Sequence, residues 1–171
     1  VAYCSLGCDN KNPITPDGPA PQPPVPPSTE EVPVVLHTKA ADGDFAKGDC
    51  VGVYMVNYMD GQQMSLKSSG NYIDNWKFLY DGEGSWAADQ KLYYKDEDTA
   101  ADFYAYHPYS DIADATGYDV SVPYDQSAES DYKKADFLWG SALNCIPSTE
   151  PVDITLEHMM SKAVVVLRPG T

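Results

Sequence analysis

Positive charge is scarce in this chain. It carries 11 Lys and Arg against 26 Asp and Glu, a formal charge of -15 over 171 residues. Its only arginine is Arg168. A field of that sign repels phosphate, so nucleic acid is excluded as an expected partner, and no basic patch is left for anionic lipid. Histidine is equally sparse: His37, His107 and His158 share no metal-ligand spacing. The four cysteines, Cys4, Cys8, Cys50 and Cys145, contain no CxxC pair and do not supply a zinc site. Neither GxSxG nor HExxH occurs, so nothing frames a histidine with a nucleophile or a metal. The acidic runs ADGDFAKGD and KDEDTAAD lack the glutamate-terminated length of an EF-hand loop. No apolar run approaches the roughly 18 residues of a membrane-spanning helix. The expectation is a non-enzyme without cofactor or metal.

What is present suits one β-rich domain on a tether. The composition is 43% hydrophobic and 22% charged with 13 Tyr, and a chain of this size can bury a substantial core. The opening VAYCSLGCDN reads as the last part of a secretory signal. Its SLGC resembles a bacterial lipobox, which makes Cys8 the expected lipid attachment; Tyr3 is too large for the small-residue position before Cys4. Residues 1–8 are therefore assigned to the signal. Residues 9–33 form a tether, because nine of the fourteen prolines lie in KNPITPDGPAPQPPVPPSTEEVP and forbid a helix or a ladder. The folded domain is placed at 34–171. Within it Cys50 and Cys145 are either a disulfide or two buried thiols behaving as small hydrophobes, and free thiols are favoured.

From Val34 onward short strand-like runs alternate with Gly, Pro, Asp and Ser, the pattern of an all-β sandwich or barrel. The candidates are VVLHTK, CVGVYMVNY (50–58), NYIDNWKFLY (71–80), KLYYKD, DFYAYHPY, YDVSVPY (118–124), ADFLWGSAL (135–143), VDITLEHMM and KAVVVLRPG, with DGEGSW as a hairpin turn. In CVGVYMVNY, Val51, Val53 and Met55 form an apolar face against a mixed face of Gly52, Tyr54 and Val56. SDIADATG is short enough for one helical turn, and LEHMMSK fits either a turn or a bulge.

DFYAYHPYS (102–110) is the densest aromatic stretch. As a strand it sends Phe103, Ala105 and His107 to one face and Tyr104 and Tyr106 to the other. Tyr104 and Tyr106 then form either a half-covered sheet face or an aromatic contact surface for a sugar.

Four segments in order resemble the fimbrillin-like proteins of Bacteroidetes, the subunits and accessory lipoproteins of type V pili. They are FAKGDCVGVYMVN, DFYAYHPYS, VPYDQSAESDYKKADFLWGSA and ITLEHMMSKAVVVLRPG, covering Phe45 to Gly170. The resemblance implies a transthyretin-like β-sandwich of about seven strands and export as an outer-membrane lipoprotein exposed at the cell surface. It implies adhesion, and assembly with other pilus subunits by β-strand exchange. In that scheme Val34, Val35 and Leu36 are the temporary N-terminal strand, and a protease cuts in the loop Lys39 to Asp49. The family's cut follows arginine; here only Lys39 and Lys47 are basic near it, so processing at lysine and retention of the strand both stay open. Family members carry two such domains, so the resemblance also implies that a second domain is absent from this chain. Expected partners are pilus subunits, outer-membrane lipid through Cys8, and a surface receptor or glycan. The alternative is a monomeric glycan-binding surface lipoprotein.

Overall fold

The computed structural model describes residues 31–41, 45–111, 114–128 and 131–161, apart from 132 and 134. Seven strands form in it: β1 (Leu36–Ala40), β2 (Cys50–Asn57), β3 (Ile73–Tyr80), β4 (Trp86–Ala88), β5 (Ala101–His107), β6 (Leu138–Cys145) and β7 (Val152–His158). Their order across the sheet is β1-β7-β6-β5-β2-β3-β4. All the pairings are antiparallel except β1 with β7, which is parallel. The fold is all-β and sandwich-like.

The sheet folds over at β6. That strand pairs with β5 along its length, from His107↔Leu138 to Ala101↔Cys145. Its ladder with β7 holds only Leu138↔His158 and Trp139↔Glu157. Beyond Trp139 the two strands part, and β7 and β1 close over the sheet's inner face. Gly140 marks the crossing: a Cβ there would lie 2.2 Å from the Thr155 carbonyl oxygen, so only glycine admits the approach.

The main core fills the space so enclosed. Val51, Val53 and Met55 of β2, Phe103 and Ala105 of β5, and Leu156 of β7 are fully buried there. Leu36 and Phe78 join them, with Trp86 at the edge. The period-2 pattern thus lands on the expected faces, since alternate β-branched and aromatic side chains make a one-sided apolar surface.

The opposite face departs from expectation. Two of its rings on β2 and β5 are fully covered: Tyr54 and Tyr106 are each 1% exposed. The long connection from β5 to β6 lies across them. Phe137, Tyr118, Val120, Ala115 and Tyr109 pack there as a second apolar cluster. Tyr118 stacks on Phe137 at 4.7 Å and 16°, and Tyr106 meets both rings, at 5.3 and 6.1 Å. The Tyr106 hydroxyl donates to Asn75 Oδ1 at 2.7 Å. Lys77 Nζ sits 5.1 Å above the Tyr109 ring, a cation–π contact that adds to the cover.

YDVSVPY is not a strand. It runs as irregular chain within this cover, because Tyr118 and Val120 are used to pack on the sheet rather than to pair in it. KLYYKD gives only an isolated bridge, Pro33↔Tyr93. In SDIADATG the described residues 114–117 form a turn closed by Gly117 N donating to Asp114 O at 3.3 Å. Residues 131, 133 and 135 take a helical conformation that no sequence signal announced. The strand expected in KAVVVLRPG lies outside the described residues.

Burial sets an alkaline limit on stability. Desolvation pushes the phenols of Tyr54 and Tyr94 from 10.0 up to about 12, and raises Tyr106 as well. Between about pH 10 and 12 the unfolded chain loses these protons while the folded chain keeps them. The unfolded state then binds fewer protons, so stability falls as pH rises. Urea midpoints should hold up to about pH 10 and drop steeply above it. A midpoint that stays flat to pH 12 would mean these tyrosines are not buried.

Candidate functional site

The chain enters the fold in two steps. First, Tyr94 N donates to Val32 O at 2.9 Å and Val34 N donates to Leu92 O at 2.8 Å. Then the partner changes. Val152 N donates to Val35 O at 2.8 Å, the parallel ladder runs from Leu36↔Val152 to Ala40↔Leu156, and Ala41 N donates to Leu156 O at 2.9 Å. Val34, Leu36 and Thr38 face inward at 8%, 3% and 4% exposure, while Val35, His37 and Lys39 face out.

β1 is lightly held on its other side. Trp86 Nε1 donates to Thr38 O at 3.3 Å, but no ladder joins β1 to β4 among the described residues. Thr38 Oγ1 is buried with no partner there, a polar atom that weakens the strand's hold. A cavity of about 160 Å³ lies beside it, lined by Phe45, Tyr80 and the backbone run His37–Ala40. His37 Nδ1 lies 2.5 Å from Asp153 Oδ1, but both side chains are exposed, so the pair adds little. Withdrawing β1 would bare Val152, Ile154 and Leu156 and unpair one edge of β7. The result is a groove shaped for an extended strand with alternate apolar side chains.

The basic residues separate in space. Lys39 is in strand β1 opposite Thr155, not in a loop as expected. Its backbone is engaged in the ladder, so a protease cannot take it without first peeling the strand away. Lys47 lies on an exposed turn, where Asp49 N donates to Ala46 O at 2.9 Å and Ala46 N to Asp49 Oδ2 at 2.7 Å.

Burial removes Tyr106 from the aromatic contact surface expected at Tyr104 and Tyr106. Tyr106 is enclosed beneath the β5–β6 connection. Tyr104 is half-buried, tilted against Trp139 at 6.1 Å. Cys8 lies outside the described residues. Cys50 and Cys145 are free, half-buried thiols at opposite ends of the sheet, and burial pushes the Cys145 thiol up.

Asp102 was not singled out by sequence reasoning. It is a fully buried carboxylate within the aromatic strand β5. Oδ1 accepts from Asn144 N at 2.8 Å and Oδ2 from Gln63 Nε2 at 2.8 Å. The hydroxyls of Tyr58 and Tyr104 also bond to it, and burial together with this carboxylate raises both phenols. A buried polar group persists only when its hydrogen bonds are met, and here Asn144 N and Gln63 Nε2 meet one carboxyl oxygen each. Its one visible sign in the sequence is an acid inside an otherwise apolar and aromatic run.

The profile of the fimbrillin-like family matches residues 38–171. A protein assigned as the fimbrium subunit Fim1C of Bacteroides uniformis is 26% identical over 137 residues, which cover 78% of this chain and 42% of that protein. Two crystal structures assigned as cell adhesion proteins share the fold. One, from Bacteroides uniformis, has a TM-score of 0.52 at 24% identity and covers 74% of this chain and 47% of its own. The other, from Bacteroides ovatus, has a TM-score of 0.53 at 15% identity, covering 75% and 52%. The chain thus spans about half the length or less of each of these relatives. With the strand order and the β1–β7 pairing in place, the profile match over most of the chain settles the kinship: this chain belongs to the fimbrillin-like family.

Proposed function

We propose that the protein is a cell-surface fimbrial subunit with a structural and adhesive role, not a catalytic one, and that it joins other subunits by strand exchange. The observation that carries this reading is the placement of β1. Among the described residues it is a short parallel edge strand that fills a core groove, laddered on one side and held on the other by the Trp86 Nε1 bond to Thr38 O. Val34 and Leu36 occupy the inward positions of the temporary strand. Lys47, on the exposed turn, is the better of the two lysines for processing. Family membership supports the surface location and the absence of a catalytic role. Residues 34–171 act as the sandwich domain of this subunit. Before that cut, or in a copy that keeps β1, Cys8 carries lipid in the outer membrane and the tether of residues 9–33 lifts the domain away from it. Several acyl chains on one cysteine would hold far better than a single chain.

Native cells test this directly. Labelling with palmitate, shearing, and running the sheared fraction unboiled should give a heat-sensitive ladder whose base carries label. A single labelled band left on the cells would contradict polymerisation by this subunit.

A further inference from the structure

Two cavities adjoin at the end of β2. One is about 460 Å³ and the other about 310 Å³. They share Tyr58, Met59 and Lys95, so they form two compartments of one cleft. Such volumes fall in the range of small-molecule sites.

Three features of the lining point to one ligand chemistry. The first is the apolar surface. Tyr72 and Met59 are 44% and 60% exposed, and the half-buried Tyr58 ring lines both compartments. Open rings of this kind stack on the apolar face of a sugar. The second is charge. The charged residues lining the cleft are Lys67 and Lys95 against Asp60 and Asp98, which cancel. A lining of zero net charge does not select an ion, and the chain's -15 repels anions. It does offer strong donors and strong acceptors side by side, which is what a run of hydroxyls requires. The third is unfinished hydrogen bonding. Asn57 lines the smaller compartment, and its Oδ1 is buried with no partner among the described residues. A turn about its soft χ2 would bring that amide to a ligand hydroxyl.

We infer that this cleft binds an uncharged oligosaccharide of two or more sugar units, stacked on Tyr72 and Tyr58 and hydrogen-bonded by Asp60, Asp98, Lys67 and Lys95. The inference rests on the adhesive part of the proposed function, which it deepens by naming a ligand class, and it needs no strand exchange, since the lining residues named come from one chain.

The test passes the full chain over arrayed neutral and acidic oligosaccharides and titrates the best neutral binder by calorimetry. Affinity should be indifferent to salt, because the ligand carries no charge to screen. Tyr72→Ala should weaken binding about two- to tenfold, and Asp98→Asn about tenfold. Both residues are exposed, so thermal melting should not change. Tyr124→Ala, an exposed ring outside the cleft, should bind as the parent does. Retention of acidic glycans alone, loss of binding with added salt, or full binding by Tyr72→Ala would overturn the proposal. So would an array with no neutral binder. If exchange of β1 still occurs in that case, only this site is lost and the assembly reading stands.

Discussion

Replacing Phe103 with alanine should cost about 3–5 kcal/mol of stability, a large part of what a domain of this size has to spare. Phe103 is 0% exposed in the middle of β5. It sits between Met55 and Ala142 across the two ladders and meets the edge of Tyr94 at 5.7 Å and 79°. Met55 and Ala142 are held in strands and Tyr94 in the bonded 92–94 segment, so the cavity left behind cannot collapse easily. Tyr104→Ala, one residue along, should cost less, because its ring is half-buried on the opposite face. Urea denaturation of the two variants checks this. A loss below about 1 kcal/mol for Phe103→Ala would mean that the core is not packed around β5.

Gly140→Val should act on the part of the fold that matters for assembly. The new Cβ would lie 2.2 Å from Thr155 O, 2.9 Å from Thr155 C and 3.0 Å from Leu156 Cδ2. Two of these atoms are backbone, so β7 has to move as a strand. Overpacking of this kind costs about 1–3 kcal/mol. The location matters more than the size. Among the described residues β7 has two ladder pairs to β6, and β7 is the one strand that ladders with β1. Loosening should therefore appear first in β7 and β1. Amide hydrogen exchange should speed at Leu36–Ala40 and Val152–Leu156 while the amides of β2 and β5 stay protected. Equal acceleration in all strands would show that β1 and β7 do not open apart from the rest.

Much of this fold was legible in the sequence because alternation reports the face of a strand. VVLHTK, CVGVYMVNY, NYIDNWKFLY and DFYAYHPY all became strands, with Val51, Val53, Met55 and Phe103 inside as their spacing requires. The alternation does not report what lies on the other face. Tyr54 and Tyr106 look like a half-exposed surface until residues some distance along the chain fold over them. Tyr118 and Val120 mislead for the same reason: apolar residues two apart suit a pairing strand and a covering loop equally well. Partner choice is also invisible to local pattern, so the parallel pairing of β1 with β7 could not be read from VVLHTK. It places Lys39 inside the ladder and leaves Lys47 on the accessible turn. Asp102 and the cleft at the end of β2 depend on loops that meet only in three dimensions. Tyr58, Tyr72, Lys67 and Lys95 carry no common spacing that would have joined them.

The most direct measurement takes β1 as a removable strand. A specific protease sequence is placed at the Lys47 turn, the purified protein is cut there, and a fluorescent peptide of residues 31–41 is added in excess. Strand exchange predicts that the cut protein stays folded, releases its own β1 slowly and takes up the peptide, while the uncut protein does not. Unfolding on cutting, or a cut protein that never exchanges its strand, would contradict the account.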